Sequence, residues 1–289
     1  MKQLFENKGL LVASAALTVV LAGLILWLPS FPVTNAPGMP AAVGAPVEGQ
    51  ATTTPPAPVV EPLLFHYIEI IDGCGPYFDT GTCVNMRSGP GTEYPVVGHL
   101  RTGVVLKVEG TTVQGGREWY KIIFDGELRY PERVAGDWYV AVDAESVLPL
   151  VNIGDEVITK DTPPTRKRIV VKLSEEMLYA YDGETSFMQQ PISTGLELTP
   201  TPVGIFRVFK KTPSRYMQGP IPEVSDQYYD LPGVPWNLYF TSGGAVIHGA
   251  YWHDHFGSPW SHGCVNLPPQ KAKELYLWAD VGTLVTVLP

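Results

Sequence analysis

Four of the chain's six histidines and one of its three cysteines fall between His248 and Leu267, in HGAYWHDHFGSPWSHGCVNL. Cys264 lies there in Ser261-His262-Gly263-Cys264-Val265-Asn266. A thiol with imidazoles nearby is equipped for cysteine acyl transfer. The thiolate is the nucleophile, and an imidazole lowers the thiol pKa or takes its proton. Gly263, having no side chain, lets a carbonyl approach the backbone N–H groups around Cys264, where a developing oxyanion is stabilised. The same residue types ligate zinc, and His248, His253, His255, His262 and Cys264 are all eligible. Their spacing fits no common zinc signature and residues 257–261 read as a turn, so no metal and no cofactor is expected. His253 and His255 are expected as exposed loop histidines.

These residues need a scaffold, and the surrounding sequence predicts one. Ala245-Val246-Ile247 reads as a short buried strand leading into His248. Residues 269–279 read as the one helix: Pro269 suits a first turn, and Ala272, Leu275, Tyr276 and Ala279 recur at helical spacing. Residues 168–173, 177–181, 187–193, 205–209 and 284–288 read as strands, the first two as a hairpin across Ser174-Glu175-Glu176. Residues 210–236 read as a long loop over the site, and loops of that length often serve as lids. Trp236, Tyr239, Tyr251, Trp252 and Trp260 surround the motif in sequence. They are candidates for lining a substrate pocket, with core packing the plainer alternative.

Towards the N-terminus the composition changes twice. Residues 9–28 carry no charge and are long enough to span a bilayer as a helix. Lys2 and Lys8 precede them, so the positive-inside rule places the body of the chain outside the cytoplasm. An uncleaved anchor at 1–28 is expected, the alternative being a cleaved signal peptide that releases the protein to the wall. Residues 29–62 hold nine prolines and two charges, Glu48 and Glu61. They read as an extended tether. The net charge of −9 argues against nucleic acid as a partner. Cys74 and Cys83, nine positions apart, are expected to pair as a disulfide in an oxidising compartment and leave Cys264 as the unpaired thiol; two free structural cysteines are the alternative.

Two resemblances follow from motifs in order. Residues 63–150 hold short β-rich runs at 64–70, 104–109, 119–124 and 138–142. Their Met86-Arg87-Ser88-Gly89-Pro90-Gly91 turn and Trp119-Tyr120-Lys121-Ile122 strand resemble the bacterial SH3-type small β-barrel. That family often accompanies cell-wall enzymes; here residues 126–136 form an insertion that departs from its short form. Further on come Ser193-Thr194-Gly195, Thr199-Pro200-Thr201-Pro202-Val203-Gly204, Ile247-His248-Gly249 and Ser261-His262-Gly263-Cys264-Val265-Asn266-Leu267. In that order they resemble the L,D-transpeptidase catalytic domain, over residues 166–289. The fold implied is mainly β: an L,D-transpeptidase-like β-sandwich with one helix, preceded by a small SH3-like β-barrel and an N-terminal transmembrane helix.

The resemblance also implies roles. Cys264 is the nucleophile and His248 its base, with the Gly249 carbonyl orienting the imidazole. His262, Gly263 and Cys264 shape the oxyanion site, and Ser261 and Asn266 support the cysteine loop. The implied partners are peptidoglycan stem peptides, joined 3→3 through a thioester with release of D-alanine. Water as acceptor gives an L,D-carboxypeptidase instead, and a protein amine is a further acceptor. A non-catalytic wall-binding protein and a zinc hydrolase are the distant alternatives.

Overall fold

The computed structural model describes residues 61–62, 66–124, 126, 128–222 and 224–289. The expected membrane segment at 9–28 and the tether up to residue 60 lie outside the described residues. Among the described residues no helix is long and apolar enough to cross a membrane.

Eight strands make the first sheet: β1 (Glu61–Pro62), β2 (Tyr67–Ile70), β3 (Val84–Arg87), β4 (Val96–Leu100), β5 (Val105–Gln114), β6 (Arg117–Ile123), β7 (Trp138–Ala141) and β8 (Val147–Leu150). Their order is β4-β3-β7-β6-β5-β2-β8, and β1, the end of the proline-rich stretch, pairs with β5. Alternation sends Val105 and Tyr120 to opposite cores, while Ile68, Leu106, Val108, Ile122 and Val140 pack together inside this module. Cys74 and Cys83 are joined as a disulfide ahead of β3, and Cys264 is free.

The rest of the chain forms two five-stranded sheets around one helix. Strands β10 (Lys167–Lys172), β11 (Met177–Asp182), β12 (Thr185–Pro191), β13 (Gly204–Arg207) and β18 (Leu284–Leu288) make one, ordered β12-β11-β10-β18-β13. Strands β9 (Glu156–Val157), β14 (Lys210–Ile221), β15 (Ser225–Tyr239), β16 (Val246–Gly249) and β17 (Val265–Leu267) make the other, ordered β17-β16-β15-β14-β9. Ile169 and Val171 align with Val285 and Val287 in parallel register, so the period-2 apolar pattern of both strands points one way. That face meets Leu238, Ile247, Val265 and Leu267 from the second sheet. Helix α1 (Pro269–Trp278) starts at Pro269 and buries Ala272, Leu275 and Tyr276 in the same core.

Residues 210–236 are not a loop. They are most of a β-hairpin, β14 against β15, running from the Lys210↔Tyr239 pair to Ile221↔Ser225. Prolines and glycines broke the alternation that marks a strand in sequence. The hairpin tolerates them because the ladder shifts register between Arg215 and Met217 and again between Gly219 and Ile221. Beyond Lys210 and Lys211, β14 has no ladder partner on its outer side among the described residues.

The far part of the hairpin is held by the first module. Insertion residues Arg129 and Arg133 donate to the carbonyls of Gln218 and Gly219, each at 2.7 Å. Tyr130 Oη donates to Pro220 O at 2.9 Å, and the Tyr130 backbone exchanges hydrogen bonds with the Gln218 amide. Val234 and Tyr251 complete the module's own core, with Met217 and Leu231 against it. A Cβ on Gly233 would meet Val105 O at 2.6 Å, so only glycine permits this approach. The insertion that departs from the short SH3 form is thus the grip on the hairpin.

Candidate active site

Strands β16 and β17 run parallel with Ile247 opposite Val265 and His248 opposite Asn266. Side chains alternate along a strand and match across a ladder, so His248 and Asn266 share a face, and Cys264, two residues before Asn266, continues it. His248, Asn266 and Cys264 accordingly line one cavity of about 830 Å³. The ladder, not the fifteen residues between His248 and Cys264, fixes the pair.

Each expected motif has a place in holding the cysteine loop. Ser193 and Asn266 exchange backbone hydrogen bonds at 3.0 and 2.9 Å, and Ser261 N donates to Thr194 O at 2.9 Å. Gly195 packs so closely on the next motif that a Cβ would lie 2.2 Å from Thr199 O. Thr201 then bridges the two: its hydroxyl accepts from Gly195 N at 2.9 Å and donates to Gly263 O at 3.1 Å. Under this layer, the buried Glu176 carboxylate accepts from Thr194 N at 2.8 Å and from its hydroxyl at 2.5 Å. Gly263 has φ +109°, the left-handed region, and presents no side chain to the cavity. Its N–H donates to Ser261 Oγ at 3.1 Å, and that hydroxyl donates to Cys264 O at 2.6 Å. Of the three N–H groups expected to serve an oxyanion, the Gly263 one is therefore engaged within the loop.

His248 is completely buried, and its Nδ1 lies 3.1 Å from Gly249 O. A carbonyl only accepts, so Nδ1 carries the proton and Nε2 is the free basic atom. Nε2 is buried and has no hydrogen-bond partner among the described residues. Burial pushes the imidazole pKa down to about 3; the Gly249 carbonyl opposes this, while Arg215 and His253 add to it. Burial likewise raises the Cys264 thiol, with Arg215 and the Val246 N–H pulling it back. Both shifts favour the uncharged forms, a thiol and a neutral imidazole that line the same cavity.

His253 is not the exposed loop residue its sequence suggests: it is 2% exposed. Its Nδ1 accepts from His255 N at 3.2 Å, so the proton sits on Nε2, 3.0 Å from the Asn266 amide. Because Nε2 is then a donor, the amide orientation that offers its oxygen to Nε2 is the one that makes this contact a hydrogen bond. Burial lowers the His253 pKa to about 4. His255 is exposed, stacked on Trp260 at 4.0 Å.

The aromatic candidates divide. Trp236 and Tyr239 are three apart on β15 and face opposite sides. Tyr239 lines the cavity, whereas Trp236 is 1% exposed and packs on Tyr276 in the core. Tyr251 is also buried, its hydroxyl donating to Pro232 O at 2.7 Å. Trp252, 5.8 Å from the His248 ring, and the half-exposed Trp260 line the cavity. Three cavity residues had no sequence signal: Arg215 and Tyr229 on the hairpin, and Arg129 from the insertion. Among the described residues no three His, Cys, Asp or Glu converge to hold a metal ion.

Residues 166–287 match the family model of the L,D-transpeptidase catalytic domain, and residues 82–130 that of the bacterial SH3 domain. The chain carries an L,D-transpeptidase catalytic domain preceded by a bacterial SH3 domain. Solved L,D-transpeptidases share parts of it. One from Mycobacterium smegmatis is 21% identical, covering 60% of this chain and 91% of its own at TM-score 0.41. A crystal structure of a cysteine-to-serine mutant of the Enterococcus faecium L,D-transpeptidase is 28% identical, covering 43% and 50% at 0.39. The catalytic domain of an E. faecium L,D-transpeptidase is 28% identical, covering 45% and 98% at 0.37. No curated protein matches the chain. The L,D-transpeptidase domain here spans both five-stranded sheets except β9, with α1 between the motif cysteine and the last strand.

Proposed function

We propose that the protein is a peptidoglycan L,D-transpeptidase that makes 3→3 cross-links, with Cys264 as nucleophile and His248 as its base. The observation that carries this reading is the buried, unpartnered Nε2 of His248, whose Nδ1 is held by the Gly249 carbonyl, on the cavity face it shares with Cys264. His248 takes the thiol proton as sulfur attacks the carbonyl of the third residue of a tetrapeptide stem. The C–N bond breaks, the proton passes to the leaving nitrogen, and D-alanine departs, leaving a thioester. A side-chain amine of a second stem then attacks the thioester, loses its proton to His248, and restores the thiol. One imidazole serves both half-reactions. Gly249 orients the base, Ser261 and Asn266 hold the loop, and the His262 and Cys264 N–H groups are the oxyanion donors left once Gly263 N–H is engaged. The apolar run at 9–28 and the tether support a place outside the cytoplasm, anchored at the membrane, where such stems lie.

The test is incubation of the full-length chain with disaccharide tetrapeptides, followed by mass spectrometry of products and intact protein. The expected outcome is a dimer lighter by one D-alanine, and a thioester on Cys264 that Cys264→Ala abolishes. D-Alanine release that persists in Cys264→Ala refutes the assignment.

A further inference from the structure

Arg215 lies on β14, half-buried in the wall of the cavity that holds Cys264, with its guanidinium 5.6 Å from the centre of the Tyr239 ring. Lys121, Lys167, Lys211 and Lys273 all have carboxylates within 4 Å, but Arg215 forms no ion pair among the described residues. Acids outnumber bases 29 to 20 in this chain, so a partly desolvated cation without a counter-ion is out of the ordinary. Its charge reaches the reacting groups, favouring the Cys264 thiolate and disfavouring the His248 imidazolium.

A second guanidinium comes from the SH3 insertion. Arg129 lines the same cavity, tethered through Nη1 to Gln218 O at 2.7 Å. Both arginines, and the Cys264 sulfur, act on the phenol of Tyr229, whose ring stacks on His262 with centres 6.2 Å apart. The two cations thus converge on the cysteine end of the cavity from two modules. The one acid among the described lining residues, Asp155, already accepts from Tyr67 Oη at 2.8 Å.

We propose that Arg215 and Arg129 form a carboxylate subsite that takes the free C-terminal carboxylate of the acyl donor. This rests on the function proposed above. In a tetrapeptide donor that carboxylate sits three bonds beyond the scissile carbonyl, on the residue that leaves. A guanidinium offers it two parallel N–H donors, a geometry an ammonium cannot match. The subsite selects donors that end one residue past the attacked carbonyl and discriminates against amidated or extended chains. It gives the SH3 insertion a specificity role in the reaction as well as a structural one.

Two readouts test it on the full-length chain. In the first, acylation is compared between a tetrapeptide with a free C-terminal carboxylate and its C-terminal amide. Wild type is expected to prefer the acid by roughly 10- to 100-fold in kcat/KM, the worth of a charge-assisted hydrogen bond. Arg215→Gln is expected to bring the ratio close to one, Arg215→Lys to keep part of it, and Arg129→Gln to reduce it less. In the second, Cys264, the one free thiol, is alkylated with iodoacetate and with iodoacetamide, which differ in that one charge. The iodoacetate-to-iodoacetamide rate ratio is expected to fall about tenfold in Arg215→Gln. Both ratios unchanged in a natively folded Arg215→Gln overturn the subsite. Wild type inert to both peptides, with an iodoacetate preference that still depends on Arg215, overturns the transpeptidase reading and leaves the subsite standing.

Discussion

His253 offers a quantitative test because its burial is invisible in its local sequence. Its imidazole is 2% exposed, and burial lowers its pKa to about 4 against an unfolded value of 6.5. A histidine depressed in the fold binds fewer protons there than in the unfolded chain. Its contribution to stability is complete above pH 6.5 and is lost as the pH falls towards 4. At pH 4.5, two units below the unfolded value, protonation favours the unfolded chain by about 2.7 kcal/mol, and partial protonation in the fold returns a few tenths. His253→Gln removes this term while keeping a group able to meet Asn266. Urea unfolding at pH 7 and pH 4.5 is the assay. The wild type should lose about 2.5 kcal/mol more than the variant across that interval, near 1 M in midpoint for an m-value of 2–3 kcal/mol/M. Carboxylates titrate in both proteins and cancel in the difference. A lost hydrogen bond shifts the variant at both pH values and cancels too. Equal losses in the two proteins would refute the claim that His253 is held neutral in the fold.

Two further outcomes follow from the same packing. Gly249→Ala places a Cβ 2.8 Å from Pro235 Cγ and 3.0 Å from the Pro269 Cα, so the backbone must shift. It should cost about 1–3 kcal/mol in thermal or urea unfolding and lower Cys264 acylation by moving the carbonyl on His248 Nδ1. Arg133→Ala, alone or with Tyr130→Phe, removes donors to Gly219 O and Pro220 O. Amide hydrogen exchange across 216–231 should then speed up by roughly tenfold while the β10–β18 ladder stays protected; unaltered exchange in the hairpin would mean the insertion does not hold it.

The parts of the site legible in sequence were those whose chemistry is local. Ser261 to Leu267 declared itself because a glycine, a thiol and a hydroxyl must be adjacent to build one tight loop. The helix at 269–278 showed through its 3.6-residue spacing, and the strand at 284–288 through its alternation. What could not be read was what depends on distant partners. The hairpin at 210–239 looked like a loop because its strands carry prolines that only register shifts and a free outer side make tolerable. His253 reads as a surface residue in His253-Asp254-His255; Asn266, thirteen positions on, makes it a core one. Trp236 and Tyr239 looked equivalent until the strand turned them to opposite faces. Arg215 and Arg129, 86 positions apart, carry no common pattern at all.

The exchange of core residues between the two modules has an implication for how the chain can be divided. Val234, Leu231 and Tyr251 belong to the catalytic stretch of the sequence yet fill the interior of the preceding sheet, while Tyr67, Val105 and Leu150 of that sheet reach into the catalytic core. A cut near residue 160, where the sequence motifs part, severs no motif but strips both halves of interior residues. Excised fragments would therefore carry apolar wounds prone to self-association, and a grafted SH3 module from another protein would have to supply the complementary residues before the graft could heal.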